Sequence, residues 1–355
     1  MERTKSLLLK SVLLIVGGYF SIISLIEAKG FLAPLVTAVI LALLMIPFSK
    51  KLESWKFPKL LASFSSTIVL LIFSLGILSV LSFQVKSFVD DWDNIKENMK
   101  PRLESLEQFV IEKTWVDSEE LETYKEENDV SSLLVKTDSG EKAFEVVNSF
   151  FGFFTDALLV FIYVFFLIHY RSRFKTFLLK LFSKEQQSNA KEILSKTTQV
   201  AQDYLRGKLI LIVFLSVLYS IGLGVSGVSN FILVSIIAAV LTLIPFIGNI
   251  LGMLLAIAFG FVLNGDLSVL IGIVITFSIV QFVESYIFEP YVVGEKVDLH
   301  PFFVILVIIL ANMVWGVIGM ILAIPVFGIL NVVFLYIEPL KPFGYLFGNS
   351  KDETT

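Results

Sequence analysis

Apolar residues in this chain gather into runs too long for the core of a soluble domain. They occupy about 7–27, 31–49, 60–85, 146–169, 209–228, 231–263, 267–288 and 302–337. A helix needs roughly 20 apolar residues to cross a bilayer, so the pattern predicts an all-α, polytopic integral membrane bundle of about eight transmembrane segments. Two runs are exceptional: 231–263 has 33 residues and 302–337 has 36. As straight helices each would measure about 50 Å, against a hydrocarbon core of about 30 Å. Each is also punctuated near its middle, by Ile244-Pro245-Phe246-Ile247-Gly248-Asn249 and by Asn312-Met313-Val314-Trp315-Gly316-Val317-Ile318-Gly319. Pro removes a backbone donor and Gly loosens a helix. Both runs are therefore expected to be broken or re-entrant, with a long tilted span as the other solution.

Two polar stretches divide the runs. In the first, Phe88, Trp92, Ile95, Met99, Leu103, Leu106 and Val110 recur at steps of three and four, the stripe of an amphipathic helix, interrupted at Pro101. It would pack on the protein's own outer surface or on a neighbouring subunit. In the second, Ser183–Gly207 reads as a helix at the membrane surface. The expected organisation is three spans over 1–85, an extracytoplasmic helical segment over 86–145 and a fourth span over 146–170. A cytoplasmic amphipathic linker over 171–208 follows, then a transport core over 209–338 and a tail over 339–355.

Charge sets the orientation. The Ser49–Lys59 loop carries four Lys and one Glu, Tyr170–Lys208 carries nine basic and three acidic residues, and Gln84–Glu145 carries eight basic and seventeen acidic residues. Short Lys/Arg-rich loops stay in the cytoplasm. This places 49–59 and 170–208 inside, 84–145 outside and both termini inside a bacterial inner (cytoplasmic) membrane. The first run is followed by Glu-Ala-Lys-Gly rather than a cleavage site, so it reads as a retained span.

Composition narrows the chemistry. Only 17% of the 355 residues are charged, 56% are hydrophobic, and there is no Cys. Only two His, His169 and His300, argue against a His-built metal centre, no phosphate-binding loop is present, and no cofactor is expected. With a net charge of −4, nucleic acid is not an expected partner; membrane lipid and a small-molecule or ion substrate are.

Few polar residues remain at membrane depth, and these are the candidates. Glu284, with Gln281 one turn earlier, lies inside the run 267–288. A charge at the bilayer centre costs about 2.5–3.5 kcal/mol on insertion scales, so Glu284 should be protonated, paired or facing a wet cavity rather than lipid. Either a coupling or a structural role answers that; Glu289, nearer the end, suits the interface. Asn249 and Asn312 sit at the two breaks, beside Pro245 and Gly248 and beside Trp315, Gly316 and Gly319. An amide there could cap a helix end or contact a solute. Asp156 suits a hydrogen bond inside the bundle, and His300, before Pro301, suits a helix cap or a proton relay. A faint echo links Gly252-Met253-Leu254-Leu255-Ala256-Ile257 to Gly319-Met320-Ile321-Leu322-Ala323-Ile324 at an offset of 67, which also pairs Tyr219 with Tyr286 and Gly227 with Gly294. Interrupted segments in corresponding halves point to a transporter's binding site.

These same stretches carry a family resemblance. Leu243-Ile244-Pro245-Phe246-Ile247-Gly248 resembles the break motif of the autoinducer-2 exporter family. So do Gln281-Phe282-Val283-Glu284-Ser285-Tyr286-Ile287-Phe288-Glu289-Pro290, Val297-Asp298-Leu299-His300-Pro301 and Gly316…Gly319…Ala323-Ile324-Pro325. Tyr204-Leu205-Arg206-Gly207-Lys208 resembles the lead into that family's fifth span, and Ser285-Tyr286 departs from the expected Asn-like pair. The resemblance implies a homo-oligomeric transporter, five subunits being the candidate count, with both termini inside. It also implies export of autoinducer-2 or sodium/proton antiport. Its polar positions fall on Gln281, Glu284, His300 and the two breaks. Export of a small hydrophilic solute by alternating access is the primary expectation. A cation/proton antiporter, and a non-transporting scaffold acting through its acidic outer segment, are the alternatives.

Overall fold

The computed structural model describes residues 2–90, 97–98, 101, 157–262, 266–288 and 298–349. The amphipathic stripe from Trp92 to Val110, the acidic run 117–129, Asp156, Glu289 and Gly294 lie outside these residues. Every regular element among the described residues is helical. In chain order they are α1 (Glu2–Glu27), α2 (Lys29–Ser54), α3 (Lys59–Asp90), α4 (Ala157–His169), α5 (Arg171–Lys180) and α6 (Gln187–Val225). Then come α7 (Phe231–Leu241), α8 (Ile247–Ile257), α9 (Leu267–Val283), α10 (Pro301–Trp315), α11 (Val317–Tyr336) and α12 (Lys341–Phe347). Single π turns extend α8 over Ala258–Val262 and α9 over Glu284–Phe288. Five helices are long and apolar enough to cross a membrane, and α4 with α5 forms a sixth candidate bent by 69°. The fold is that of a polytopic helical membrane protein.

The boundary expected near 208 is not a break in the helix: α6 runs unbroken for 39 residues. Its sequence contains no Pro, so no backbone donor is missing, and Gly207 alone does not stop a helix whose ladder is otherwise complete. The surface helix expected over Ser183–Gly207 and the span expected from 209 share one continuous run of helical hydrogen bonds.

Two compact units divide the chain. One comprises 1–71, 156–207 and 292–355, the other 72–155 and 208–291. In the first, a proline inside a helix leaves a carbonyl that a distant side chain satisfies. Pro47 cannot donate to the Leu43 carbonyl, and Gln202 Nε2 donates to it instead at 2.8 Å. The hairpin α10–α11 also lies here. Gly319 sits so close to the Ala311 carbonyl that a Cβ would overlap it, and Asn331 Nδ2 reaches back to the Asp298 carbonyl at 3.4 Å. Both pairs are centred on residue 315, so the arms run antiparallel about Trp315-Gly316. At the base, His300 N–H donates to the Phe347 carbonyl at 2.8 Å, and Asp298 Oδ1 accepts from Asn349 N–H at 3.1 Å. The Phe347 ring packs on Phe303 and Phe327 with centroids 4.8 and 5.1 Å away.

The second unit is built on the 208–225 part of α6, on the hairpin α7–α8, and on α9. Leu211, Leu215, Tyr219 and Leu223 form a stripe at steps of four, all fully buried. Facing it are Val269, Ile273, Phe277 and Val280 of α9 and Val234, Ala238 and Ala256 of the hairpin. The arms of α7–α8 meet at Ala238 and Gly252, where a Cβ on Gly252 would come within 2.9 Å of the Ala238 Cβ. A Cβ on Gly248 would overlap the Leu241 carbonyl. These pairs are centred on residue 245, at the predicted break. The run 231–263 is thus a helical hairpin. Its first arm of 11 residues is about 16 Å long, half of what a span requires.

Candidate transport site

The break of α7–α8 is a tight turn. Thr242–Phe246 separate the arms, Ile247 N–H donates to the Pro245 carbonyl at 2.7 Å, and Gly248 N–H donates to Ile244 at 2.9 Å. Phe246 carries a φ of +65°, a left-handed conformation that costs a bulky residue energy. The turn delivers Asn249 to the first turn of α8, where its side chain leaves the hairpin.

Asn249 meets two other helices. Its Oδ1 accepts from the Tyr219 hydroxyl of α6 at 3.4 Å. Its Nδ2 donates to Gln281 Oε1, and at 3.5 Å to Glu284 Oε2. Gln281 Nε2 in turn donates to Ser285 Oγ at 3.0 Å, so the Ser285 that departs from the family pattern is a working acceptor. Glu284 continues the buried stripe of α9, one turn beyond Val280, and only 5% of it is exposed. It begins the π turn, whose extra residue re-aims side chains and is common at functional sites. The ring of Tyr219 is held by Phe277, with centroids 4.6 Å apart.

The result is a chain of polar groups across three helices, in a segment (209–288) that contains no Lys or Arg. An amide donor faces the carboxylate, and the same amide joins the hairpin to both Gln281 and Glu284 of the α9 segment. Such an arrangement can hold a small polar solute by exchanging its hydrogen bonds for the solute's. Among the described residues, no three His, Cys, Asp or Glu converge on a common point.

Of the residues singled out in the sequence, Asn249, Gln281 and Glu284 come together, and Pro245 and Gly248 shape the turn that presents Asn249. Asn312, Trp315, Gly316, Gly319 and His300 belong to the other compact unit. There, Trp315 Nε1 donates to the Leu25 carbonyl at 3.0 Å, an orphan acceptor in the last turn of α1. Gly316 takes φ +65° at the hairpin tip, its N–H bonded to the Asn312 carbonyl at 2.8 Å. His300 Nδ1 accepts from Phe302 N–H at 3.3 Å, capping α10 with Pro301 in its first position. Tyr219 was not singled out in the sequence as a member of this polar cluster. The available signal was its place as the one polar member of the stripe Leu211, Leu215, Tyr219, Leu223.

Buried polar groups on a broken helix and its neighbours, inside a polytopic apolar bundle, define a membrane transporter. The comparisons agree. The model of the family described as "AI-2E family transporter" matches residues 9–338, and the chain belongs to that family. "Putative transport protein YueF" of Bacillus subtilis (strain 168) is 25% identical over 320 residues, covering 86% of this chain and 84% of its own length. "Putative transport protein YrrI" of the same organism is 23% identical over 313 residues, covering 87% of each. A "Putative transport protein" of Borreliella burgdorferi is 24% identical over 205 residues, covering 58% of this chain and 57% of its own.

Proposed function

We propose that the protein is a secondary transporter of the inner membrane, with cytoplasmic termini, working as a homo-oligomer to export a small hydrophilic solute such as autoinducer-2. Asn249, Gln281, Glu284 and Tyr219 form its binding centre. The observation that carries this reading is the Asn249 amide, which joins the hairpin α7–α8 to acceptors on α9 and to the hydroxyl on α6. A solute that satisfies Gln281 and Glu284 with its own donors releases Asn249. The hairpin is then free to rock about 242–246, the interrupted-helix form of alternating access. Asn312, Trp315, Gly316, Gly319 and His300 hold the second hairpin in shape.

A second reading, cation/proton antiport, is favoured by one feature: the Glu284 carboxylate and the Gln281 carbonyl oxygen converge on the same amide N–H donor. A monovalent cation could stand in that donor's place. Proteoliposomes loaded with a pH-sensitive dye separate the two readings. Under an imposed proton gradient, collapse on adding sodium or potassium, absent in empty vesicles and in Glu284→Gln, establishes antiport. No response to either cation, with efflux of labelled autoinducer-2 lost in Glu284→Gln and Asn249→Ala, establishes solute export. Efflux unchanged in both variants overturns the site.

A further inference from the structure

Helix α5 leaves the apolar helix α4 through a 69° bend at Tyr170. Its launch direction is fixed by Arg171, which donates to Glu53 Oε1 and Oε2 at 2.7 and 2.6 Å and to Ser49 Oγ at 3.1 Å. Beyond this clamp, no residue of the helix is buried. At 100° per residue, Phe174, Phe177, Leu178 and Leu181 share one face at steps of three and four, with Phe182 beside them. All are exposed, from 39% at Leu178 to 65% at Leu181. Arg173 and Lys180 lie along one edge of this stripe and Lys175 along the other, with Lys184 just beyond the helix. From Arg171 to Lys184 there is no acidic residue.

We propose that α5 is an interfacial helix that docks on anionic phospholipid, its five large apolar side chains among the acyl chains and Arg173, Lys175 and Lys180 on headgroup phosphates. Three features commit the face to a lipid surface. The bend falls where the apolar run 146–169 gives way to basic residues, the place at which a chain leaves the hydrocarbon for the headgroups. The charges are of one sign and flank the apolar stripe on both sides, the pattern of helices that lie in the headgroup plane. Long basic side chains can also keep their stems with the apolar face while their heads reach phosphate. The docking anchors the inner end of α4 and makes the protein sensitive to lipid charge, independently of which substrate it carries.

The absence of Cys allows a clean probe. Full-length Leu181→Cys, labelled with an environment-sensitive fluorophore, is reconstituted in phosphatidylcholine vesicles with increasing phosphatidylglycerol, at low and high salt. Emission should shift to the blue as phosphatidylglycerol rises and shift back at high salt. The same label at Ser172, on the opposite face, should stay in a polar environment. Neutralising Arg173, Lys175 and Lys180 to Gln should weaken docking, by on the order of fivefold per charge. Emission indifferent to phosphatidylglycerol and salt overturns the proposal. So does a blue shift that follows the protein-to-lipid ratio instead, which would identify a second copy as the occupant. The lipid and salt series on the charge-intact protein needs no charge variant to fold.

Discussion

The two helical hairpins, α7–α8 and α10–α11, share a device for closing and differ in how they are held. Each closes on a glycine packed against the carbonyl of the facing arm, Gly248 on Leu241 and Gly319 on Ala311. Each turns on a residue with φ of +65°, Phe246 in one and Gly316 in the other. The arms differ. Those of α10–α11 have 15 and 20 residues, about 22 and 30 Å, and both ends are tied down: the tip by Trp315 to Leu25, the base by Asp298 and His300 to the C-terminal segment. The first arm of α7–α8 is half a membrane long, and its tip is tied by side-chain hydrogen bonds that a polar solute could replace. The two breaks are therefore held differently: one at both ends, the other by a set of exchangeable polar contacts around a buried carboxylate.

The largest expected effect tests what the hairpins share. Gly248→Val and Gly319→Val each force a side chain into a backbone carbonyl, a cost of about 3 kcal/mol or more. Both should lose monodisperse protein in detergent chromatography, and a well-folded Gly319→Val would show that the second hairpin is packed less tightly than the first.

Next in size is the contrast in function. Glu284→Gln and Asn249→Ala should lower transport roughly ten- to hundredfold, since hydrogen bonds to a charged group are worth about 1.5–3 kcal/mol. Asn312→Ala at the other tip should leave vesicle flux unchanged. If Asn312→Ala costs as much as Asn249→Ala, the two tips are equivalent and the distinction fails.

Tyr219→Phe removes one neutral hydrogen bond, about 1 kcal/mol. Apparent substrate affinity should weaken by roughly fivefold, while the ring keeps its place on Phe277. His300→Ala should lower the unfolding midpoint by the loss of a helix cap, about 1 kcal/mol, with no change in flux. A flux defect there would return His300 to the pathway.

The smallest effect concerns the start of α9. Asp266 caps that helix, and the Ser268 N–H holds its carboxyl below the ordinary carboxylate range. A lowered value in the folded state means the contribution is complete above the ordinary carboxylate pKa of about 3.9 and is lost as pH falls through the lowered one. Asp266 should therefore add no pH dependence to melting between about pH 5 and 8, and Asp266→Asn should remove the acid limb.

The sequence by itself determined the class of fold, because the bilayer demands long apolar helices and those leave a one-dimensional trace. Both breaks were legible too, since Pro245 and Gly316 act through their own backbone. Glu284 was visible as a lone carboxylate in an apolar run, and Asn249 as an amide at a break. What hydropathy could not show was partnership. Asn249 and Gln281 are 32 residues apart, and only the antiparallel return of α8 and the phase of α9 bring them together. Tyr219 looked like a core residue because its spacing is that of one, and it joined the polar cluster only when α8 placed Asn249 within reach of its hydroxyl. The joining of α6 across Gly207 was hidden because a polar-to-apolar change in sequence marks a change of surroundings, not an end of hydrogen bonding. The separation of the two hairpins into different compact units was likewise decided by packing, since both halves follow the same hydropathy pattern and only side-chain contacts between distant segments tell them apart.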